Sequence, residues 1–584
     1  MADVPGTLSG QTRRQQYEAI AAALLLERAA FDEHYRELGE YMTPVRTRFT
    51  TSDRNRGDRR SRSIIDSEPL FAIQTLESGL HGGMTSPAKP WFRLTTGDAA
   101  LAERGPVKLW LHTVTQRLHT VFLRSNLYNG LPVLYHDTGI FATGAMSMLE
   151  DDEDMLRVYN YPVGSYAFGL DARGVATTFV YHYRRTVRQL IQEFGRPIEA
   201  QGPIDWSRFS ETVKSLYDNG QLETAVDVVW YVAPNDEYDP RRLEARYAMQ
   251  WKSCHFEKGR TEDDFEGRDG FLRESGFRRF PVFVPRWGVT GQDTYGTWSP
   301  GIGALGDVKQ LQFMQKKKAK AIDKVIDPPL VGPPNLRNQK VSLNPGDLTY
   351  SDTLDRNTGL RPIHEVRLEG IRELVQDMAE TRERIDRLFF VDLFLMLAQS
   401  DTTQPYTAEE VRVRQQEKLV VLGPVTERFN DELLDPLIDR GFDILEAAGA
   451  IPDPPPELEG LELKVEYLSI MSQAQKLAGV AGLDRFVSTV VGMAPTFPEA
   501  LDKVNAQQIV DVYGDKLGID PNIVRTDEEA LARLQGRQEA EAAAAQADQL
   551  QTLSQGAQAL GRTPTRGGQS TALDDVMSQA GAGA

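Results

Sequence analysis

Two helical stretches separated by a proline- and glycine-rich excursion, all between residues 306 and 408, constrain this chain more than any other feature. Asp307–Ile326 reads DVKQLQFMQKKKAKAIDKVI, with Asp307 placed to cap its start and Gln310 three residues on as the box partner. Val308, Leu311, Ala319, Ile322 and Ile326 recur at helical spacing, so one face is apolar. Lys316, Lys320 and Lys324 follow at four-residue steps, with Lys317 beside them, and make a basic stripe. Pro328-Pro329 ends the helix, because a residue before proline is pushed out of the α region. The second helix is Glu369–Leu397, with Ile371, Leu374, Met378, Ile385 and Leu388 on one face. Between them, Leu330–Val366 carries Pro333, Pro334, Pro345, Gly346, Gly359 and Pro362, with strand-like pieces at Lys340–Leu343 and Leu348–Tyr350. Two such helices, each about 30 Å or longer, would hold that small module away from the rest of the chain.

At 584 residues the chain exceeds one core, and roughly two to four structural units are expected. Sixty-six basic against 84 acidic side chains give a net charge of −18. That argues against a general nucleic-acid coat, which needs a basic surface to neutralise phosphates. It is compatible with a channel along which DNA slides rather than sticks. The one cysteine, Cys254, excludes an internal disulfide framework and any CxxC metal site. No signal-peptide pattern opens the sequence. The longest apolar run, Leu388–Ala398, is short and contains Asp392, too little to span a bilayer. The expectation is a soluble protein made in a reducing cytoplasm, with no membrane partner.

Thr12–Tyr41 is helical in pattern, and Arg46–Arg62 then holds seven arginines among Ser, Thr, Asp and Gly. This reads as a solvated loop, with a basic arm meeting nucleic acid or an acidic neighbour as the alternative. Ile64–Gly83 is expected as a helix stopped by Gly82-Gly83, after which Trp91-Phe92 anchor an extended link in a core. Leu109–Leu123 is helical. Strands are expected at Asp151–Tyr159, Thr177–Tyr183, Val226–Val232, Glu244–Trp251 and Phe280–Val284, which makes the chain to about residue 300 α+β. Past the second long helix comes a polar loop, Gln399, Ser400, Asp401, Thr402, Thr403, Gln404, Pro405 and Tyr406. Thr407 and Glu410 form a capping box opening a helix to Ala448, with kinks expected at Pro424 and Pro436. Leu461–Leu468 reads as a strand, and Met471–Phe486 and Glu539–Gln558 as helices. Residues 562–584 are Gly/Ser/Thr-rich and expected to be disordered.

Motifs that suggest chemistry have plainer readings. Gly301-Ile-Gly303-Ala-Leu-Gly306 matches GxGxxG, but a dinucleotide fold needs a hydrophobic strand before it, and Trp298-Ser299-Pro300 stands there. It reads as a flexible lead into a helix. Ser86-x-x-Lys89 has acyl-transfer spacing, yet Pro87 interrupts it and no KTG follows. His364-Glu365 lacks the second histidine of a zincin. His112 and His119, two turns apart, read as surface residues. Asp151–Asp154 is an acidic run that reads as a solvated turn.

Several segments together resemble the portal, or head-to-tail connector, proteins of short-tailed bacteriophages. They are Tyr41-x-x-Pro44-x-Arg46-x-x-Phe49, Asp66-Ser67, GLHGGMTSPAKPWFRL at 79–94, FPVFVPRW at 280–287, Tyr295-Gly296 and Pro300-Gly301. The helix ending in DPP, VEYLSIMSQAQK at 465–476 and DKLGIDPNIVRTDEE at 515–529 follow in the family's order. His81, Thr297-Trp298, a short polar loop at 399–406 without lysine, and the tail beyond 562 depart from the family pattern.

The resemblance implies an α+β portal fold whose subunits form a ring, typically of twelve, at one vertex of the capsid. It lays a wing on 1–305, a first stem helix on 306–329, a clip on 330–366 and a second stem helix on 367–397. A tunnel loop falls on 398–408, a long kinked helix and wing or crown base on 409–504, a helical crown on 505–561 and a tail on 562–584. Double-stranded DNA would pass non-specifically through the channel during packaging and ejection, facing Lys316, Lys317, Lys320 and Lys324. The clip, through Asn335, Arg337, Asn338, Asp352, Asp355 and Arg356, would dock the terminase large subunit and later a head–tail adaptor. Capsid and scaffolding proteins would be further partners, and assembly would occur in the host cytoplasm. No cofactor, metal or catalytic residue is expected. The alternatives are a metal-dependent nucleic-acid enzyme using Asp151, Asp152 and Asp154 with Mg²⁺, and another structural virion protein such as a tail adaptor or scaffold.

Overall fold

The computed structural model describes residues 12–468 except 54–56, 58, 59, 103, 196–202, 266–269, 333–336, 338–360, 363–367, 400–421, 459 and 462, together with 486–490, 492, 493, 508–510 and scattered positions from 533 to 555. The chain divides into two compact units, 1–95 with 110–454 and 463–475, and 96–109 with 455–462 and 476–584. In the second unit, 486–490, 508–510 and every described position from 533 to 555 are helical.

The first unit is α+β. Its largest sheet is a five-stranded antiparallel meander of Tyr166–Leu170, Ala176–Thr186, Ala225–Pro234, Trp251–Glu257 and Phe271–Phe277. The helix Arg13–Ala29 lies across it, with Thr12 and Gln15 forming a full capping box. Tyr17 and Ala21 join Val180, Val229, Tyr231, Cys254, Phe256 and Phe271 in one core, and Tyr17 stacks on Tyr231 at 5.0 Å between ring centres. Burial there pushes the Cys254 thiol up to about 12, so the lone cysteine is an inert packing group. A smaller antiparallel sheet has the order Met155–Asn160, Met146–Asp151, Val282–Phe283.

Beside the sheets lies a helical layer. Glu68–Met84 packs on Leu127–Phe141, a helix the sequence patterns missed because Pro132 interrupts it. A Cβ on Gly139 would come within 2.7 Å of Leu76, so the absent side chain sets their separation. Gly82 and Gly83 lie inside the last turn of Glu68–Met84 rather than beyond it. The expected Thr12–Tyr41 helix is two helices, Arg13–Ala29 and Asp32–Met42, and the break brings Phe31 to 5.1 Å from Tyr295. The strand expected at 244–251 is a short helix, Ala245–Ala248, followed by the strand Trp251–Glu257. Trp91 and Phe92 are buried as anticipated. His119 is also buried, donating to the Phe92 carbonyl at 3.1 Å, which corrects its placement on a surface.

The two long helices are rooted in this layer. The first is Pro300–Ile326, about two turns longer than the Asp307 start implied. Ser299 caps it, accepting from the Ile302 N–H at 3.2 Å, and Pro300 occupies the first turn. Asp307 therefore sits in mid-helix and pairs with Arg384 at 3.1 Å. The GxGxxG glycines are helical, and Gly301 is where the helix meets a neighbouring backbone: a Cβ there would lie 2.6 Å from Ile140 Cα. The second helix, expected from 369 to 397, is two. Leu368–Leu388 ends at Phe389-Phe390, Phe390 adopts φ +57°, and Val391–Gln399 follows. The break lets Phe389 and Phe394 both bury, Phe394 over Gly79, whose Cβ would stand 2.1 Å from its ring.

A short loop grips both helices. Gln312, buried, accepts the N–H groups of Ile65 and Asp66 at 2.6 and 2.8 Å and donates to the Asp66 carbonyl at 3.0 Å. The Asp66 carboxylate takes Arg382 of the second helix at 2.6 Å. Below them, Asp386 has a buried oxygen without a hydrogen-bond partner among the described residues, and burial with Glu68 and Asp392 nearby pushes its carboxyl up to about 6. Elsewhere in this unit, Arg286 of the FPVFVPRW segment donates to Glu432 at 2.6 Å and to the Gly174 carbonyl at 2.9 Å. Glu432 lies in a π-helical turn, Asn430–Leu434, directly before Pro436. A π-helical turn thus stands where a kink is expected at Pro436, whose ring crowds the carbonyl four residues earlier.

Two outcomes follow. Arg286→Ala leaves Glu432 without its main cation and lowers stability by about 3–5 kcal/mol, read by chemical denaturation. Asp386 holds its proton more tightly folded than unfolded, so stability is lost as pH rises through its folded value of about 6. Asp386→Asn raises the melting temperature at pH 7.5, and the gain fades towards pH 4.

Candidate nucleic-acid interface

The two long helices run antiparallel. Gly303 faces Leu388 and Asp307 faces Arg384, so four residues forward on one match four back on the other. The two segments meet again past Pro328-Pro329, where Leu330 pairs with Pro362 and Val331 with Arg361 in an antiparallel pair. The excursion 332–360 is thus closed at its base by an antiparallel pair.

Burial stops part-way along this rod. Val308, Leu311 and Met314 are buried in the first helix, and Met378, Thr381 and Ile385 in the second. From Met314 to Ile326 the helix runs about 18 Å further with one apolar row uncovered. Ile322 is 38% exposed, Val325 42% and Ile326 77%. At about 100° per residue, these three continue the stripe that Val308 and Leu311 begin. Lys316, Lys317, Lys320 and Lys324 are all exposed and lie on the opposite side. Phe313 is among them, 60% exposed, with the Lys317 ammonium 5.1 Å from its ring centre. Sequence reading assigned the lysines and the apolar row but missed Phe313, whose only signal is an aromatic residue out of phase with the apolar stripe.

Of the docking candidates, Arg337 is exposed, while Asn335, Asn338, Asp352, Asp355 and Arg356 lie outside the described residues, as do the strands suggested at 340–343 and 348–350. Gln399 closes the helix Val391–Gln399, and Ser400, Asp401, Thr402, Thr403, Gln404, Pro405 and Tyr406 lie outside as well.

The acidic run is a hairpin turn. Met146–Asp151 pairs with Met155–Asn160, and Asp151 accepts the N–H groups of Glu153 and Asp154, both at 3.0 Å, and Arg157 at 2.9 Å. These bonds hold the Asp151 carboxyl below its usual range, the backbone donors first. A carboxylate already closing a turn and bridging an arginine has little left for a cation. Among the described residues no cluster of three or more His, Cys, Asp or Glu side chains is arranged to hold a metal. No described helix is long and apolar enough to cross a membrane.

Comparison with known proteins agrees with the motif resemblance. Residues 14–524 match the family described as bacteriophage head to tail connecting protein. The chain is 40% identical over 576 residues to the portal protein of Salmonella phage epsilon15, covering 98% of this chain and 99% of that one. It is 40% identical over 551 residues to the probable portal protein of Bordetella phage BPP-1, covering 94% and 95%. Among solved structures, a chain from the virion of a native gene transfer agent particle aligns over 78% of this chain and 91% of its own, with a TM-score of 0.35 and 11% identity. With two relatives matched from end to end, this chain belongs to the head-to-tail connecting family, the phage portal proteins.

Proposed function

We propose that copies of this portal chain close into a ring whose paired helices stand side by side around a bore for double-stranded DNA. The observation that carries it is the split character of the rod beyond Met314. One side is an uncovered apolar row, Ile322, Val325 and Ile326, and the other is a lysine stripe. A lone chain gains nothing from such a row in water, whereas a second copy packed against it removes it from solvent. The lysines then face away from that seam, and copies repeated around an axis stack them as rings about 6 Å apart. Such rings touch phosphates without reading bases. Against a net charge of −18, a few lysines per copy give weak, salt-sensitive contact, which suits a strand that must keep moving. In this reading the 330–366 clip, closed at its base by the Leu330–Pro362 pair, is the docking edge for terminase and later an adaptor at the capsid vertex. The 398–408 loop borders the bore.

An enzymatic reading through Asp151, Asp152 and Asp154 has less support, because Asp151 is engaged by its own turn and by Arg157. The portal relatives are structural proteins.

Native mass spectrometry and negative-stain imaging of purified protein test the ring, which predicts closed annuli with a central hole. A monodisperse monomer under assembly conditions overturns it. Ile322→Asp with Ile326→Asp abolishes annuli while leaving the melting temperature of the subunit near wild type. Replacing Lys316, Lys320 and Lys324 together by Gln keeps annuli but weakens DNA binding and flattens its dependence on log salt, since each lost phosphate contact removes about 0.9 from the slope.

A further inference from the structure

The first unit contains a polar cavity far along the chain from the lysine stripe. It has a volume of about 660 Å³ and lies between the 48–53 segment, the 162–165 turn and the strand Ala176–Thr186. Arg28, Arg48, Arg184, Arg185 and Lys258 line it, against a single lining carboxylate, Asp53. Most of these charges are matched in place. Arg28 pairs with Asp32 at 3.2 Å, Arg184 with Asp227 at 2.7 Å, Arg185 with Glu193 at 3.0 Å, and Asp53 with Arg60. Arg48 and Lys258 are different. Neither has a carboxylate within ion-pair distance among the described residues, and Arg48 Nε is buried without a hydrogen-bond partner there. Lys258 Nζ instead meets His182 Nδ1 at 3.4 Å.

The walls are fixed. Arg48 N–H donates to the Val163 carbonyl at 2.8 Å, and a Cβ on Gly164, which adopts φ +94°, would lie 2.5 Å from the Arg48 carbonyl oxygen. Arg28 donates to the carbonyls of Gly164 and Tyr166 across the same turn. The cavity is therefore a built cleft with two cations that have no carboxylate within ion-pair distance among the described residues. Arg48 is half-buried in the wall and Lys258 is exposed at the edge, where Asp227 still feels its charge, and their field is felt locally. His182 is pushed down to about 4, by burial first and then by Lys258 and Arg28.

We infer that this cleft binds a phosphate group, with Arg48 and Lys258 as its two principal cationic contacts. Two surplus positive charges match a phosphate monoester dianion; a lone carboxylate would leave one uncompensated. The planar guanidinium offers paired N–H donors to two phosphate oxygens, and the ammonium acts as a point charge on a third. The volume is large enough for a nucleotide, and Phe49, Tyr181 and Tyr183 are among the lining residues, although Tyr181 and Tyr183 stack on each other at 5.1 Å and Arg36 sits over the Phe49 ring. The source is either a small phosphate monoester such as a nucleotide, whose dianion meets both cations, or a DNA backbone lying against this unit, whose phosphodiesters carry one charge each and meet the cations one apiece. The inference does not depend on ring formation or on the lysine stripe.

Calorimetric titration of the full-length assembly with 5′-dAMP, deoxyadenosine, inorganic phosphate and a short DNA duplex without terminal phosphates tests it. The dAMP and phosphate arms bind and deoxyadenosine does not. Arg48→Ala and Lys258→Ala each weaken dAMP binding by about ten-fold or more, as expected for loss of one charge-assisted contact, and Lys258→Arg restores much of it. Melting temperature and native mass of the variants stay at wild-type values. If the duplex displaces dAMP from wild type and loses affinity in the double variant, the phosphate is that of a nucleic-acid backbone; if it does not, the ligand is a small phosphate compound. Electron cryo-microscopy of the unsubstituted assembly with dAMP shows density in the cleft beside Arg48. Absence of that density, equal dAMP affinity in wild type and the double variant, or variant-sensitive binding of a poly-glutamate peptide alone overturns the inference.

Discussion

Everything beyond the body of this subunit depends on how Gln312, Asp66 and Arg382 hold two helices to one loop. The Gln312 amide takes two backbone N–H groups and gives one bond back, and the Asp66 carboxylate reaches across to the second helix. Apolar burial between helices is non-directional and tolerates sliding by a turn. A buried amide and carboxylate with every partner in place do not, because a shifted register would leave them unsatisfied at a cost of about 1–3 kcal/mol each. Beyond the ends of both helices the two segments are paired again, antiparallel, at Leu330 and Pro362.

The body is built to bring the start of the first helix close. Gly301 lies against Ile140, and Ser299 donates to the Ile140 carbonyl at 2.9 Å. Ala142 turns the chain with φ +58°, and Gly296 fits beneath its carbonyl, where any side chain would collide. Arg286 and the π turn around Glu432 tie the sheet side to the 422–447 helical segment. Rigidity is thus concentrated at the roots of the rod, while the far half carries residues that its own chain leaves exposed.

Two kinds of positive surface coexist on an acidic protein. The lysine stripe is exposed and thinly spread along one helix, a geometry for passing contacts. The arginine-lined cleft is walled, partly buried and pre-organised by carbonyl and carboxylate partners, a geometry for holding a group in place. The difference lies in desolvation: the half-buried Arg48, whose Nε is shielded from water, interacts more strongly with an arriving anion than a fully solvated lysine does.

By itself the sequence determined the class of the fold, the pairing of two long helices and the basic side of one of them. Helical periodicity, Pro328-Pro329 and alternating strands are local signals that need no knowledge of the rest. The family motifs added what local pattern lacks, and Asp66, Arg46 and Arg286 prove to be anchors with named partners, Arg46 on the buried Asp137. Where a helix begins or breaks depended on distant groups. Ser299 caps because Ile140 is beside it, and Phe390 turns left-handed because Phe389 and Phe394 both find burial. Only tertiary structure decided which of the described apolar residues stay uncovered and which cations lack an acid among the described residues, because each is a sum over neighbours hundreds of residues apart that no window along the chain contains.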